Sequence, residues 1–533
     1  MNERESLGVA RPEPQDITPG MTHIMQRFRL SHLSLLRRPR SCGAIIEPME
    51  TRRLLSTYYV SPKGSDAGSG TLTDPFKTIQ HALDVAVNPG DTVEVRAGTY
   101  HERIEFTHSG SAAGGFITLE PFPGAHVLLS GAHAANHDTG FGNNMVQIVN
   151  QSYIRVIGLE IAHDSGISVR DDACAIYVTG SGSNIQILNN DIHDISGEVQ
   201  RSSGGLNLGY AGSGIQVYGS SLTDPYANIV IDGNVVYDCK PGDDSTETVT
   251  LNGNIDGFQI SNNIVHDDNN IGIVMIGGEP DAFGLNSPLP DLPQARNGVC
   301  THNTVYHIHA IYGGGYAAGI YVDGGQNITI SDNISHNNDL GIEVGAENAG
   351  VVASGIVVEN NIIYGNAQAG LVFGGYDSTV GRVENCQFIN NTLYHNDTLG
   401  LGNGELWVQY ASDCTVDNNL IVSTDQGLFI DGDVGSANNT VDYNLFWSTR
   451  GANNSVFMRD GTEFDGFSSY QEQTPWDHDS VFANPKLRNP RRADFQLTAN
   501  SLAIGAGTST AYAPLDFAGM ARTLPPDIGA YQS

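Results

Sequence analysis

The most constraining feature of the chain is a short unit that returns along its length: an Asn, two small or apolar residues, then in most copies Tyr or His. It reads NDIH at Asn190, NVVY at Asn234, NIVH at Asn263, NTVY at Asn303 and NISH at Asn333. It goes on as NIIY at Asn361, NTLY at Asn391, NLIV at Asn419 and NLFW at Asn444. The spacings are 44, 29, 40, 30, 28, 30, 28 and 25 residues. A second unit, Gly–apolar–x–apolar, follows most copies, as in GIQVY from Gly214, GIVMI from Gly272, GIYVD from Gly319, GIEVG from Gly341, GLVFG from Gly370 and GLFID from Gly427. Each repeat therefore holds at least two short alternating strands separated by Gly, Asn and Asp turns. No such strand buries a face alone. Stacked coils share one long core and ladder their backbone hydrogen bonds. The Asn column then marks one turn of every coil, where side-chain amides satisfy neighbouring backbone groups. A β-propeller blade takes ~40–50 residues, and the later spacings are too short for it. The chain reads as all-β, a right-handed parallel β-helix (solenoid) from about Val93 to Trp447.

Three segments follow, 1–57, 58–447 and 448–533. The first is an export leader expected to be disordered. It carries nine of the 26 basic residues, all Arg, and no apolar core of a secretory signal follows them. Its stretch Ile45 to Ser56, IIEPMETRRLLS, resembles the LEPR-x-LL tag of planctomycete surface proteins, with Met49-Glu50-Thr51 interrupting the usual Pro-Arg join. Folding begins at Tyr58. Phe76, Ile79, Leu83 and Val87 share a face at helical spacing after Asp74-Pro75, and Thr92–Arg96 reads as a strand. TDPFKTIQHA followed by GDTVEVRAGTYHE resembles the N-terminal cap of pectin-lyase-like right-handed β-helices, in which a short helix covers the first coil. The ending DFAGMARTLPPDIGAYQS resembles the terminal motif of choice-of-anchor-Q proteins, with Gln532 for the usual Glu. That resemblance implies a secreted or surface protein and a structural closure built on Asp516, Arg522 and Asp527.

The chain has 59 acidic and 26 basic residues, a net charge of −33. Such a charge repels phosphate backbones, so nucleic acid and anionic membrane surfaces are excluded as partners. No run of ~18 apolar residues is present to insert in a membrane. The six cysteines form no CxxC and no Cys/His metal spacing, and read as buried thiols. No metal site is expected. The run His266–Asn270, HDDNN, offers oxygen ligands for Ca²⁺ but lacks a dense ligand array, and reads as a coil turn. The expected state is a monomer.

Alternation assigns the outward positions of the Gly–apolar strands. In GIYVD, Ile320 and Val322 point in while Tyr321 and Asp323 point out. In GIEVG, Glu343 points out. Two outer columns result: Tyr321, Glu343, Val372, Trp407, Phe429, and Asp323, Gly345, Gly374, Gln409, Asp431. Aromatics beside carboxylates suit a sugar, and the glycines are expected to leave room for it. One rung is ~4.8 Å and two residues along a strand ~6.6 Å, which puts the Cα atoms of Asp323 and Glu343 about 8 Å apart. That separation is compatible with the paired acids of either retaining or inverting glycosidases. An Asp on one coil and a Glu on the next also resembles the acid pair of β-helix β-xylosidases. That resemblance implies Asp323 as ionised nucleophile and Glu343 as acid/base, although Gly324-Gly325 replaces the Trp expected near the Asp. Gly324 and Gly325 are expected to leave Asp323 open to water and backbone donors. Tyr316, Tyr321, Glu347, Arg382, Glu405 and Trp407 are the candidate substrate contacts.

The expected function is an extracellular glycoside hydrolase acting on a polysaccharide or oligosaccharide, without a cofactor. Two alternatives stand beside it. A Ca²⁺-dependent polysaccharide lyase or epimerase on uronic acid polymers would use Lys240, the only Lys in the repeat, with Asp243, Asp244 and Glu247. A non-catalytic surface adhesin would use the helix as a rigid rod.

Overall fold

The computed structural model describes residues 55–533 apart from 135–143, 165–172, 197–200, 203–204, 207–211, 241–246, 287–288, 290, 311–314 and 433. The expected leader lies almost wholly outside the described residues. The chain winds as a right-handed parallel β-helix. Among the described residues its strands form three long sheets of 16 (I), 13 (II) and 13 (III) strands. One coil shows the order: Ala318–Asp323 in sheet II, Gln326–Ser331 in sheet I, Ile334–His336 in sheet III, then Leu340–Gly345 back in sheet II.

The inward residues of all three sheets make one continuous core from Val60 to Trp476. Ile320, Val322, Ile342, Val344, Leu406 and Val408 lie in it, as alternation requires. Each buried Ile, Leu or Val contributes about 1.5–3 kcal/mol of apolar burial. The cap follows expectation in Phe76, Ile79 and Leu83, which are buried. The helix is Ile79–Val85 with Thr78 as N-cap, so Val87 falls beyond it and is exposed. After Trp447 the ladder continues: Val456–Arg459 adds to sheet II and Val481–Phe482 to sheet III.

The Asn column stacks on the turn between sheets I and III. Each Asn donates its backbone N–H and its Nδ2 to the Oδ1 of the next, from Asn190 through Asn234, Asn263, Asn303, Asn333, Asn361, Asn391 and Asn419 to Asn444. The residue before each one has positive φ and is Asn, Asp, Gly or His in all but one copy, where it is Tyr443. These are the residue types that tolerate the left-handed region best. A ladder of this polarity must end on an acceptor. Asn444 accordingly donates to Ser480 Oγ and Asp477 Oδ1.

Five thiols, Cys174, Cys239, Cys300, Cys386 and Cys414, are free and buried, as read from sequence. Cys42 lies outside the described residues. No helix among the described residues is long and apolar enough to cross a membrane.

Candidate functional site

Sheet II carries the site on its outer face. Tyr321 lies directly opposite Glu343, and Asp323 opposite Gly345. Asp323 thus sits one rung and two residues from Glu343, as the alternation implied. The first column continues Glu343, Val372, Trp407. Past Trp407 it departs from expectation. Trp407 faces Asp431, not Phe429. The register shifts between Leu428 and Ile430, and Phe429 turns inward to pack on Phe446 and Phe457. Asp431 therefore belongs to the Tyr321–Glu343 column.

The glycines of the second column do not leave room for a ligand. A Cβ on Gly345 would lie 3.0 Å from the Tyr321 hydroxyl, so the absent side chain is replaced by the Tyr321 ring. At Gly374 the space is taken by the Gln409 carbonyl, and at Gly324 by Val351, whose Cγ1 would be 2.6 Å away. Asp323 is consequently not open to water. It is 6% exposed, and the one backbone donor it gains is the N–H of Glu347, at 2.7 Å from Oδ1. The turn after Glu343 swings Glu347 back over the pair. Its Oε1 accepts a hydrogen bond from the Tyr321 hydroxyl at 3.3 Å.

Electrostatics order the two acids. Burial raises the Asp323 carboxyl well above the usual range, and the charges of Glu347, Glu279 and Glu343 push it further up. Glu343 is half-buried, and burial followed by Glu347 raises it to about 8. Asp323 is the more enclosed of the two, and enclosure among carboxylates favours its protonated form. This inverts the roles implied by the glycosidase resemblance, because Asp323 is enclosed by carboxylates and not by water. Tyr321 is buried and its hydroxyl is raised well above its ordinary value by burial and by Asp323, so it stays a hydrogen-bond donor.

The remaining candidates divide. Glu347 is exposed and tied to both Tyr321 and Asp323. Trp407 is half-buried on the same column, with Val372 between it and Glu343. Tyr316 is 50% exposed but lies two residues before the strand Ala318–Asp323, at the end opposite Asp323. Arg382 is exposed and opens a strand of sheet I, around the corner from the acids. Glu405 is corrected outright. Its carboxylate is 1% exposed and caps a second Asn ladder, Asn338–Asn366–Asn396. It accepts the Asn396 N–H at 3.0 Å and Asn396 Nδ2 at 2.7 Å, where no substrate reaches.

Alignment of the upstream coils adds residues that sequence reasoning missed. Tyr218 and Asn252 precede Asp323 along the second column, and Tyr177, Gln216 and Thr250 precede Tyr321 along the first. The Tyr177 and Tyr218 rings lie 5.9 Å apart. Asn252 donates to Glu279, whose charge reaches Asp323. Reading GIQVY in register with GIYVD would have supplied Gln216 and Tyr218.

Of the lyase set, Asp243 and Asp244 lie outside the described residues. Lys240 is exposed at the end of a strand in sheet III, and Glu247 is buried with Thr250 donating to it. In the HDDNN run, Asp267 pairs with His266 and His307 while Asp268 is buried and accepts the Cys239 N–H. Among the described residues no three His, Cys, Asp or Glu side chains converge as a metal centre.

Residues 58–277 match the family described as a Pel9A-like right-handed β-helix region, and residues 294–468 a right-handed β-helix region. The uncharacterized protein YwoF of Bacillus subtilis is 37% identical over 450 residues, covering 83% of this chain and 91% of YwoF. The chain belongs to the YwoF family. Its architecture is that of the pectin-lyase-like right-handed parallel β-helix proteins. The pectate lyase PEL9 of Emericella nidulans is 32% identical over 128 residues, 22% of this chain and 31% of PEL9. Among solved structures, XylC in complex with xylose is matched at 14% identity with a TM-score of 0.49, over 89% of this chain and 98% of XylC.

Proposed function

We propose that this member of the YwoF family is an extracellular carbohydrate-active enzyme, a glycoside hydrolase that uses Asp323 and Glu343 on a polysaccharide or oligosaccharide. The observation that carries the reading is the enclosure of both carboxyls beside Tyr321 with Glu347 set over them. Hydrolysis of a glycosidic bond needs one carboxyl that keeps a proton and one that gives it up. Asp323 is the proton donor to the leaving oxygen. Glu343, the more exposed of the two, is the carboxylate that attacks the sugar carbon or activates water. Trp407 offers ring surface to sugar C–H faces two rungs from Glu343, the buried Tyr321 holds Glu347 in place through its hydroxyl, and Glu347 is a candidate substrate contact.

A second reading, lyase or epimerase chemistry on uronic acid polymers, is favoured by the Pel9A-like match over 58–277. One experiment separates the two. The full chain is incubated with neutral and uronic polysaccharides, with and without EDTA. New reducing ends without ultraviolet-absorbing unsaturated products support hydrolysis. Unsaturated products that vanish with EDTA overturn it in favour of the lyase. Binding without any cleavage leaves the adhesin.

A further inference from the structure

The outward residues of sheet III form a column of rings. His193, Tyr237, His266, Tyr306, His336 and Tyr364 stack face to face at successive 4.9, 4.9, 4.8, 5.1 and 4.7 Å. One ring per rung continues to Tyr394. The next rung carries Val422, and the one after it Trp447. Between two aromatic walls the column thus lacks a ring. His395 stacks on Tyr394 at 4.0 Å and lines the same gap. A cavity of about 350 Å³ lies at this gap, lined besides the rings by Val422, Ser423, Thr449, Asn484, Lys486 and Leu487. That volume falls in the range of small-ligand sites, ~300–1,000 Å³.

The rim has the wrong sign for this protein. Acids outnumber bases 59 to 26 in the chain, yet the seven residues 486–492, KLRNPRR, hold four cations. Arg488 pairs with Asp494. Lys486, Arg491 and Arg492 are exposed and have no carboxylate within ion-pair distance among the described residues. Arg491 lies within electrostatic reach of the Tyr394 hydroxyl on the cavity wall. Asp425, the nearby acid on the next coil, is engaged by the Thr449 hydroxyl at 2.8 Å. Aromatic walls suit the C–H faces of a sugar ring, and unpaired cations beside them suit a negative charge carried on that ring.

We infer that the cavity between Tyr394 and Trp447 binds an anionic sugar ring of a glycan, its faces against the two aromatic walls and its charge on Lys486 and Arg491. The site lies on sheet III, not on the sheet of Asp323 and Glu343, so it is a glycan anchor independent of the catalytic reading. Carboxylate and sulfate ester share this chemistry.

The test is calorimetric titration of the full chain with trigalacturonate, with a sulfated galactose trisaccharide and with neutral galactotriose at near-physiological salt. At least one anionic probe is expected to bind saturably and at least ~10-fold more tightly than the neutral one. The anion that binds identifies the source of charge. Trp447→Ala, and Lys486→Gln combined with Arg491→Gln, should each weaken that binding ~10-fold. Trp447 is half-buried and packs on Phe482, whereas Lys486 and Arg491 are exposed, so the double Gln variant, expected to keep the parental melting temperature, separates lost binding from lost folding. Cleavage by the Asp323→Asn variant is not needed, so a failure of the catalytic reading does not touch this result. Equal affinity for charged and neutral probes, no saturable binding at millimolar concentration, or binding indifferent to all these substitutions overturns the inference.

Discussion

Glu347 donates its backbone N–H to Asp323 at 2.7 Å while its own carboxylate raises the proton affinity of both Asp323 and Glu343. One residue therefore acts on the acid pair in two senses. The amide favours an ionised Asp323, and the carboxylate opposes it. Only the second effect depends on the side chain. Substitution at 347 separates them, because the backbone donor survives.

The first prediction uses that separation. With Glu343 at about 8 and its ionised form required, the rate should rise with pH through the neutral region toward that value. Glu347→Gln removes a like charge, which lowers both carboxyls. The acid limb of the kcat/KM profile should then move to lower pH by about one unit. An unmoved limb, measured on a substrate from the polysaccharide screen, would show that Glu347 does not act on the pair.

Asp323→Asn and Glu343→Gln test the pair itself. Loss of a general acid or base typically costs ~10²–10⁴-fold in rate. Both side chains stand on the outer face of sheet II, away from the core formed by Ile320, Val322, Ile342 and Val344. The expected result is a kcat lowered ~10³-fold with a melting temperature close to the parent. Near-parental turnover in both variants would sink the assignment.

The fold and half of the site were legible for the same reason. A strand's period of two fixes which side chains leave the core, and the Asn spacing fixes which strands are neighbours. That arithmetic puts Tyr321, Asp323 and Glu343 together without coordinates. It fails where the period breaks. Phe429 leaves its column for the core and Asp431 takes its place opposite Trp407, at an irregularity between Leu428 and Ile430. Glu405, just before the inward Leu406, precedes the strand and so escapes its alternation to cap the second Asn ladder. Glycines were misread because a missing side chain looks alike whether a ligand or a neighbour fills the space. At Gly345 it is the Tyr321 ring, and at Gly374 the Gln409 carbonyl. Asn252 and Glu279 were not paired with Asp323, because that pairing needs the upstream coils in register.

Gly345→Ala probes the packing that replaced the expected ligand space. The new Cβ would meet the Tyr321 hydroxyl at 3.0 Å and Cε2 at 3.2 Å. The ring must give by a few tenths of an ångström, which strains its hydrogen bond to Glu347. The backbone stays extended, so the fold should survive. A fall in kcat/KM of about 10-fold is expected, worth about 1.4 kcal/mol of transition-state stabilisation. An unchanged kcat/KM would mean that Tyr321 is not held by this contact for catalysis.

The last prediction concerns the buried end of the second Asn ladder. Burial raises Glu405 to about 8 despite the two Asn396 donors that favour its ionised form. In the unfolded chain the same carboxyl titrates near ~4.3. Between those values the folded protein binds more protons than the unfolded one, so stability from this group is complete below ~4.3 and is lost as pH rises through about 8. The loss is on the order of 2–4 kcal/mol for a group this buried. Glu405→Gln cannot titrate and should be free of it. Its side-chain carbonyl still accepts from Asn396, but its NH₂ faces the Asn396 Nδ2 donor and costs about 1–3 kcal/mol at every pH. Melting temperatures of parent and Glu405→Gln at about pH 5.5 and about pH 8.5 check this. The parent loses stability between the two values and the variant does not. A gap of the same size at both values would show that Glu405 does not keep its proton in the folded chain.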